Sequence, residues 1–259
     1  METPDGEAIL AFVTDRSRAA VRAGLVDPLD LDQQTRYESL MQRLALGEPL
    51  AYVLGSAGFY RREFFVDPRV LIPRPETEHL CDVAIEFLRG LDAPRVLDIG
   101  TGSGAIACTI AAEVASAHVD AVDSSAAALE VAAENRKRLQ LEHRVAFYYG
   151  DLFEPVAGKR YDAIIANLPY VPEGEGDRAL RFEPASALYA GVDGLDIYRR
   201  FFTQAPPAVR PGSIVLAEGA PPIAAGLLAL ARGAFPHARV TLERDYGGRD
   251  RFVKVETPG

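Results

Sequence analysis

The chain has 259 residues, 48% of them apolar and 25% charged, with 28 basic against 37 acidic side chains and a net charge of −9. That balance describes a folded chain of one or two domains with a substantial core, and it excludes disordered and fibrous classes. No apolar run approaches the ~18–20 residues that span a bilayer, and the acidic surplus argues against a protein built to ride on nucleic-acid phosphates.

The first ten residues carry acids where an export signal carries positive charge, so the chain is expected to stay in the cytoplasm. Its two cysteines, Cys81 and Cys108, form neither a disulfide framework nor a metal or redox pair, which suits a reducing compartment. The four histidines lack ligand spacing, and no metal site is expected.

In chain order, residues 1–50 read as a helical domain. Ile9, Phe12 and Val13, then Leu40, Leu44 and Leu46, recur at helical spacing, interrupted at Asp27-Pro28. Residues 51–88 read as a hairpin and a linker helix. Tyr52-Val53-Leu54, Phe59-Tyr60 and Glu63 to Val66 are taken as extended, Pro73-Arg74-Pro75 as a rigid corner, and Glu76 to Leu88 as a helix with acids in its first turn.

From residue 89 to 259 short apolar strands alternate with helices. Strands are expected at Val96–Ile99, Val119–Val122, Val145–Tyr149, Ala163–Ala166 and Ile214–Ala217. Helices are expected at Ala105–Val114, Ala126–Leu139 and Ile223–Arg232, with Val240–Leu242 and Phe252–Val255 forming a terminal antiparallel hairpin. Regular alternation of this kind predicts an α/β fold with a mostly parallel sheet covered on both faces.

The first of these strands runs into Asp98-Ile99-Gly100-Thr101-Gly102-Ser103-Gly104. Glycines there permit a sharp strand-to-helix turn and close approach of a ligand to the backbone, at a helix start that offers free N–H groups. The second strand ends at Asp123, placed to accept hydrogen bonds from ribose hydroxyls. Together these signals indicate an adenosine-type cofactor without separating NAD from S-adenosylmethionine. Asp98 favours the latter, since an acid there can order the turn and meet a cationic cofactor end. The third strand ends at Gly150-Asp151-Leu152-Phe153, where Asp151 suits an adenine amine and Leu152 or Phe153 a cover for the ring, unless Phe153 belongs to the core.

The fourth strand ends in Asn167-Leu168-Pro169-Tyr170. Pro169 pushes Leu168 to extended geometry and holds its carbonyl outward. The Asn167 side-chain carbonyl and the Leu168 backbone carbonyl can then accept both hydrogens of one planar NH2 group, with Tyr170 stacked on it. Acceptors that fit a pyramidal nitrogen better than a planar one favour the transition state of methyl transfer to that nitrogen.

With these residues assembled, the sequence resembles the class I S-adenosylmethionine-dependent methyltransferases. More narrowly, it resembles the protein-(glutamine-N5) methyltransferases that modify peptide chain release factors. Gly47 to Tyr52, Leu71 to Glu78, Asp98 to Gly104, Phe182-Glu183-Pro184, Asp193 to Arg199 and Gly248 to Arg251 carry the resemblance. It implies a helical substrate-docking domain before a Rossmann-like seven-stranded catalytic domain. It further implies that Gly100, Thr101, Gly102, Ser103, Gly104, Asp123, Leu152 and Asn167 line the cofactor, and that Asn167 to Tyr170 hold a glutamine side chain of a release factor.

Two departures stand out. The family's tetrapeptide is usually Asn-Pro-Pro-Tyr, whereas Leu168 fills the second position here, and Ala217-Glu218-Gly219 stands where Glu-Ile-Gly is expected. Asn-Leu-Pro-Tyr is also the form seen in ribosomal RNA adenine dimethylases, which makes an RNA or DNA amino-methyltransferase one competing reading, and a paralogue that methylates another protein or a small amide is the other. A dehydrogenase leaves the tetrapeptide unexplained, and a non-catalytic scaffold predicts loss of Asn167 and Tyr170, which are present.

Overall fold

The computed structural model describes residues 3–175 and 178–259. Its first helices are set by local capping. Helix α1 (Pro4–Thr14) starts behind Thr3, whose hydroxyl accepts from the Gly6 N–H at 3.2 Å. After the short α2 (Arg18–Arg22), helix α3 (Leu31–Ala45) opens with a capping box between Asp30 and Gln33. Ile9, Val13, Leu40 and Val53 close a small core between these helices.

Tyr52-Val53-Leu54, expected as extended, is instead a single helical turn, α4 (Leu50–Leu54). Pro49 presets the entry, its carbonyl accepts from the N–H groups of Tyr52 and Val53, and Gly55 ends the turn at φ 68°. Three apolar residues in a row carry no period, so tertiary contacts decide. Val53 joins the helical core, and the Tyr52 hydroxyl donates to the buried Val70 carbonyl at 2.5 Å.

Strands β1 (Ser56–Phe59) and β2 (Arg62–Phe65) pair antiparallel across Tyr60-Arg61, both at positive φ (47° and 62°), as a two-residue hairpin turn requires. Helix α5 (Glu76–Leu88) then leads into the main sheet. In order along the chain come β3 (Arg95–Ile99), α6 (Ala105–Glu113), β4 (His118–Asp123), α7 (Ala126–Arg138), β5 (Val145–Tyr149) and β6 (Tyr161–Ala166). They are followed by α8 (Asp196–Gln204), β7 (Val209–Glu218), α9 (Ala224–Ala234), β8 (Arg239–Arg244) and β9 (Asp250–Glu256). Helix α8 has no counterpart among the elements read from periodicity.

The seven strands lie in the order β5-β4-β3-β6-β7-β9-β8, with β9 antiparallel to both neighbours and the others parallel. Strand order therefore reverses between β3 and β6, which opens a crevice at their carboxyl ends. Each strand sends alternate residues to opposite faces. Val96, Val119, Ala163, Ile165 and Leu216 pack with α5 and α6, while Leu97, Ile99, Ile164, Val215 and Val253 pack with α8 and α9. Both faces are dry, as a covered parallel sheet demands. Among the described residues no helix is long and apolar enough to cross a membrane.

One buried side chain couples the hairpin to the crevice. Asn135 of α7 accepts from the Phe65 N–H at 2.7 Å and donates to the carbonyls of Phe65 and Ser103, both at 2.9 Å.

Candidate active site

A cavity of about 440 Å³ opens over the switch point. Gly100, Thr101, Gly102 and Ser103 of the glycine loop form its floor, whereas Gly104, expected to line the cofactor, is outside the wall and faces Ala132 of α7; the three glycines are at φ 74°, 53° and 78°. At Gly100 the requirement is also steric, because a Cβ there would stand 2.9 Å from a methyl of Leu168. The N–H groups of Gly100 and Thr101 both donate to the Val122 carbonyl, at 2.9 and 3.1 Å, which pins the loop against β4.

Asp123 lies in the cavity wall. One of its oxygens accepts from the Gly102 N–H and the other from the Ser125 N–H, both at 2.8 Å. Each oxygen keeps a free lone pair for a ligand hydroxyl. Burial raises this carboxyl above the ordinary aspartate range, against the backbone N–H groups that favour its charge.

Asp98, in contrast, does not reach the cavity. It is fully buried beneath the loop, where one oxygen accepts from the Thr101 hydroxyl at 2.7 Å and the Ala107 N–H at 3.2 Å, while the other has no partner. It thus orders the turn and the first turn of α6 together. Burial lifts this carboxyl to about 7, against the two donors that favour its charge. The unfolded carboxyl titrates near ~3.9, so between that value and about 7 the folded chain holds a proton that the unfolded chain has released. Folding stability from this group is therefore greatest at low pH and declines as pH rises through that window. Asp98→Asn is expected to flatten the fall in melting temperature between about pH 4.5 and 7, measured against the parent chain by calorimetry. An equal slope in both proteins would contradict it.

At the end of β5, Asp151 and Leu152 both line the cavity. Asp151 is not free, because Arg200 of α8 forms an ion pair with it. Phe153 turns away into the core against Phe201, with ring centroids 5.4 Å apart, so only Leu152 is in place to cover a ring.

Three members of the tetrapeptide, Asn167, Leu168 and Pro169, line the same cavity, while Tyr170 packs part-buried on the second core face and is not in the wall. The Asn167 side-chain NH2 donates to the Thr77 hydroxyl at 3.2 Å. The Leu168 N–H, which a proline would lack, donates to the Tyr198 hydroxyl at 3.2 Å, and that hydroxyl donates to the Glu218 carbonyl. A buried tether thus holds the Leu168 peptide where a proline ring would have restricted it.

The opposite wall comes from residues that pattern reading did not assign. Arg69, Val70, Leu71, Pro73, Arg74 and Thr77 bring the linker over the cavity. The buried Glu183 fixes that linker by accepting from the Ile72 N–H at 3.0 Å and pairing with Arg74. Pro73-Arg74-Pro75 marked a rigid corner, but nothing local told what the corner would face.

Residues 2–55 match the PrmC N-terminal domain family and residues 81–182 the methyltransferase small domain family. The chain is 38% identical over 260 residues to a release factor glutamine methyltransferase of Bacillus anthracis, covering 97% of this chain and 91% of that one. It is 39% identical over 264 residues to one of Xylella fastidiosa, covering 100% and 94%. The solved structure of a ribosomal protein L11 methylase from Lactobacillus delbrueckii subsp. bulgaricus shares the fold. It is 19% identical with a TM-score of 0.53, over 74% of this chain and 82% of that one.

Proposed function

Because this chain belongs to the release factor glutamine methyltransferase family, we propose that it methylates the side-chain amide nitrogen of a glutamine in a peptide chain release factor, with S-adenosylmethionine as donor. The observation that carries the reading is the tip of β6, where the Asn167 carboxamide and the tethered Leu168 peptide stand in one cavity with the glycine loop and Asp123. The donor set fits the cofactor. Asp123 keeps lone pairs for two ribose hydroxyls, Leu152 offers an apolar cover for a ring, and the glycine floor admits close approach to the backbone. When bound, S-adenosylmethionine supplies an electrophilic methyl group on a sulfonium.

This chain's own residues supply the positioning. The Asn167 and Leu168 carbonyls accept the two amide hydrogens and aim the nitrogen, a contribution of orientation and of preferential fit to the pyramidal state. No strong base is required before attack, because the amide nitrogen becomes acidic only as the new bond forms. The surplus proton then leaves to solvent. Tyr170 is outside the wall, so the stacking role expected for it is not part of this reading. The helical segment 1–50 serves as the docking domain, and exposed Leu25, Leu31 and Leu46 suit contact with a protein.

Transfer of labelled methyl from S-adenosylmethionine is expected to mark purified release factor, with the label recovered on a glutamine after digestion. Label found only in total RNA would overturn the protein-substrate reading in favour of an adenine amino-methyltransferase.

A further inference from the structure

Glu218, at the end of β7, is 1% exposed, and neither carboxyl oxygen has a hydrogen-bond partner. Its surroundings are mixed. Helix α5 contributes Glu76, Thr77 and Cys81, β9 contributes Arg251, the β8–β9 turn contributes Asp245, and Tyr170 and Tyr198 complete the shell. The Thr77 hydroxyl is near enough to favour charge on Glu218 without the alignment of a full bond. Thr77 is itself 3% exposed, and it is the residue that accepts from the Asn167 side-chain NH2.

We propose that Thr77 is a positioning residue, which fixes the end of the Asn167 carboxamide that faces the acceptor, and that Glu218 sets the direction of the Thr77 hydroxyl. The inference rests on the reading that Asn167 holds the acceptor amide. A threonine hydroxyl has one hydrogen and two lone pairs. With Glu218 ionised, that hydrogen turns to the carboxylate, and only a lone pair is left toward Asn167. The side chain must then present its NH2 to Thr77, which turns the carbonyl oxygen away as an acceptor for substrate. With Glu218 protonated, the carboxylic acid donates to Thr77, whose hydrogen is released toward Asn167. The carboxamide then gains by flipping, which would put a donor where the substrate also donates.

The chemistry predicts a pH dependence with a stated sign. Burial holds the Glu218 carboxyl up at about 7, against Thr77 and Arg251, which favour its charged form. The productive orientation is therefore lost as pH falls through that region.

The test uses the full chain, purified release factor and saturating labelled S-adenosylmethionine in single-turnover transfer between about pH 5.5 and 8.5. Thr77→Val is expected to lower the rate about 100-fold with donor affinity changed less than about threefold, and Thr77→Ser to recover most of that loss. Glu218→Gln, which cannot ionise, is expected to lose about tenfold of the parent's fall in rate on the acid side. A Thr77→Val chain as fast as the parent, or an unchanged acid limb in Glu218→Gln, would overturn the inference and leave the proposed function standing. A parent chain that does not label the release factor would overturn the function instead.

Discussion

Replacement of Asn167 by alanine is expected to slow methyl transfer at least about 100-fold while donor affinity stays within about tenfold, a change of ~1.4 kcal/mol. The separation follows from where the residue sits. In the proposed function the cofactor contacts are spread over the glycine loop, Asp123 and Leu152, all in the cavity wall, so the loss of one carboxamide leaves most of them in place. In the same proposal the acceptor amide is held by two carbonyls, and one of them is the Asn167 side chain. Its removal leaves one substrate N–H without a partner and the nitrogen free to swing off line. A misplacement of ~1 Å in such a step costs on the order of 100-fold. Equilibrium dialysis with the donor and single-turnover transfer to release factor measure the two quantities separately. An Asn167→Ala chain that transfers methyl at the parent rate would remove the residue from its assigned role.

Gly194→Ala is expected to lower folding stability by about 3 kcal/mol or more and to reduce transfer more than it reduces donor binding. Gly194 is at φ 73°, and a Cβ there would overlap the carbonyl oxygen of Tyr170 and stand 3.1 Å from its carbonyl carbon and 3.2 Å from Ile223. The obstacle is backbone and not a flexible side chain, so relief requires the tetrapeptide itself to move. Gly194 is outside the cavity wall and is coupled to the tetrapeptide through this backbone contact. Gly24→Ala supplies the comparison. It also has a positive φ (68°), but a Cβ there would meet nothing within 4 Å, so only the backbone strain of ~1–2 kcal/mol remains and transfer is unaffected. Denaturant melts and transfer rates on the two variants check the contrast. Equal stability loss in both would show that the Tyr170 contact is unimportant.

Much of the catalytic fold was legible because its signals are local. The strands from β3 to β7 sit where short apolar runs end in glycine, an acid or, for β6, Asn167, and α5 also carries acids in its first turn. The glycine loop, Asp123 and Asn167 declare themselves because a sharp turn, an acid and a carboxamide each fall at a strand's carboxyl end. Helix α8 was missed although Tyr198, Phe201 and Phe202 lie on one face at helical spacing. Its residues read as a family signature and not as a periodic element. Phe153 was ambiguous for the same reason that any aromatic at a strand end is, since core and pocket both reward an apolar ring.

The sequence alone determined the local features at the strand ends, a glycine turn, the acid Asp123 and the Asn167 strand tip, each encoded in a few adjacent residues whose backbone geometry is locally imposed. Only the tertiary structure decided that β9 enters between β7 and β8, that Tyr52 to Leu54 coil into a helical turn, and that Asp98 and Tyr170 stay out of the cavity. It alone brought Thr77 to Asn167, ninety residues away in sequence, and Arg74 to Glu183 across a still longer separation. Such pairings arise when buried polar groups from distant segments must find one another in a dry interior, and no periodicity in either segment records the partner.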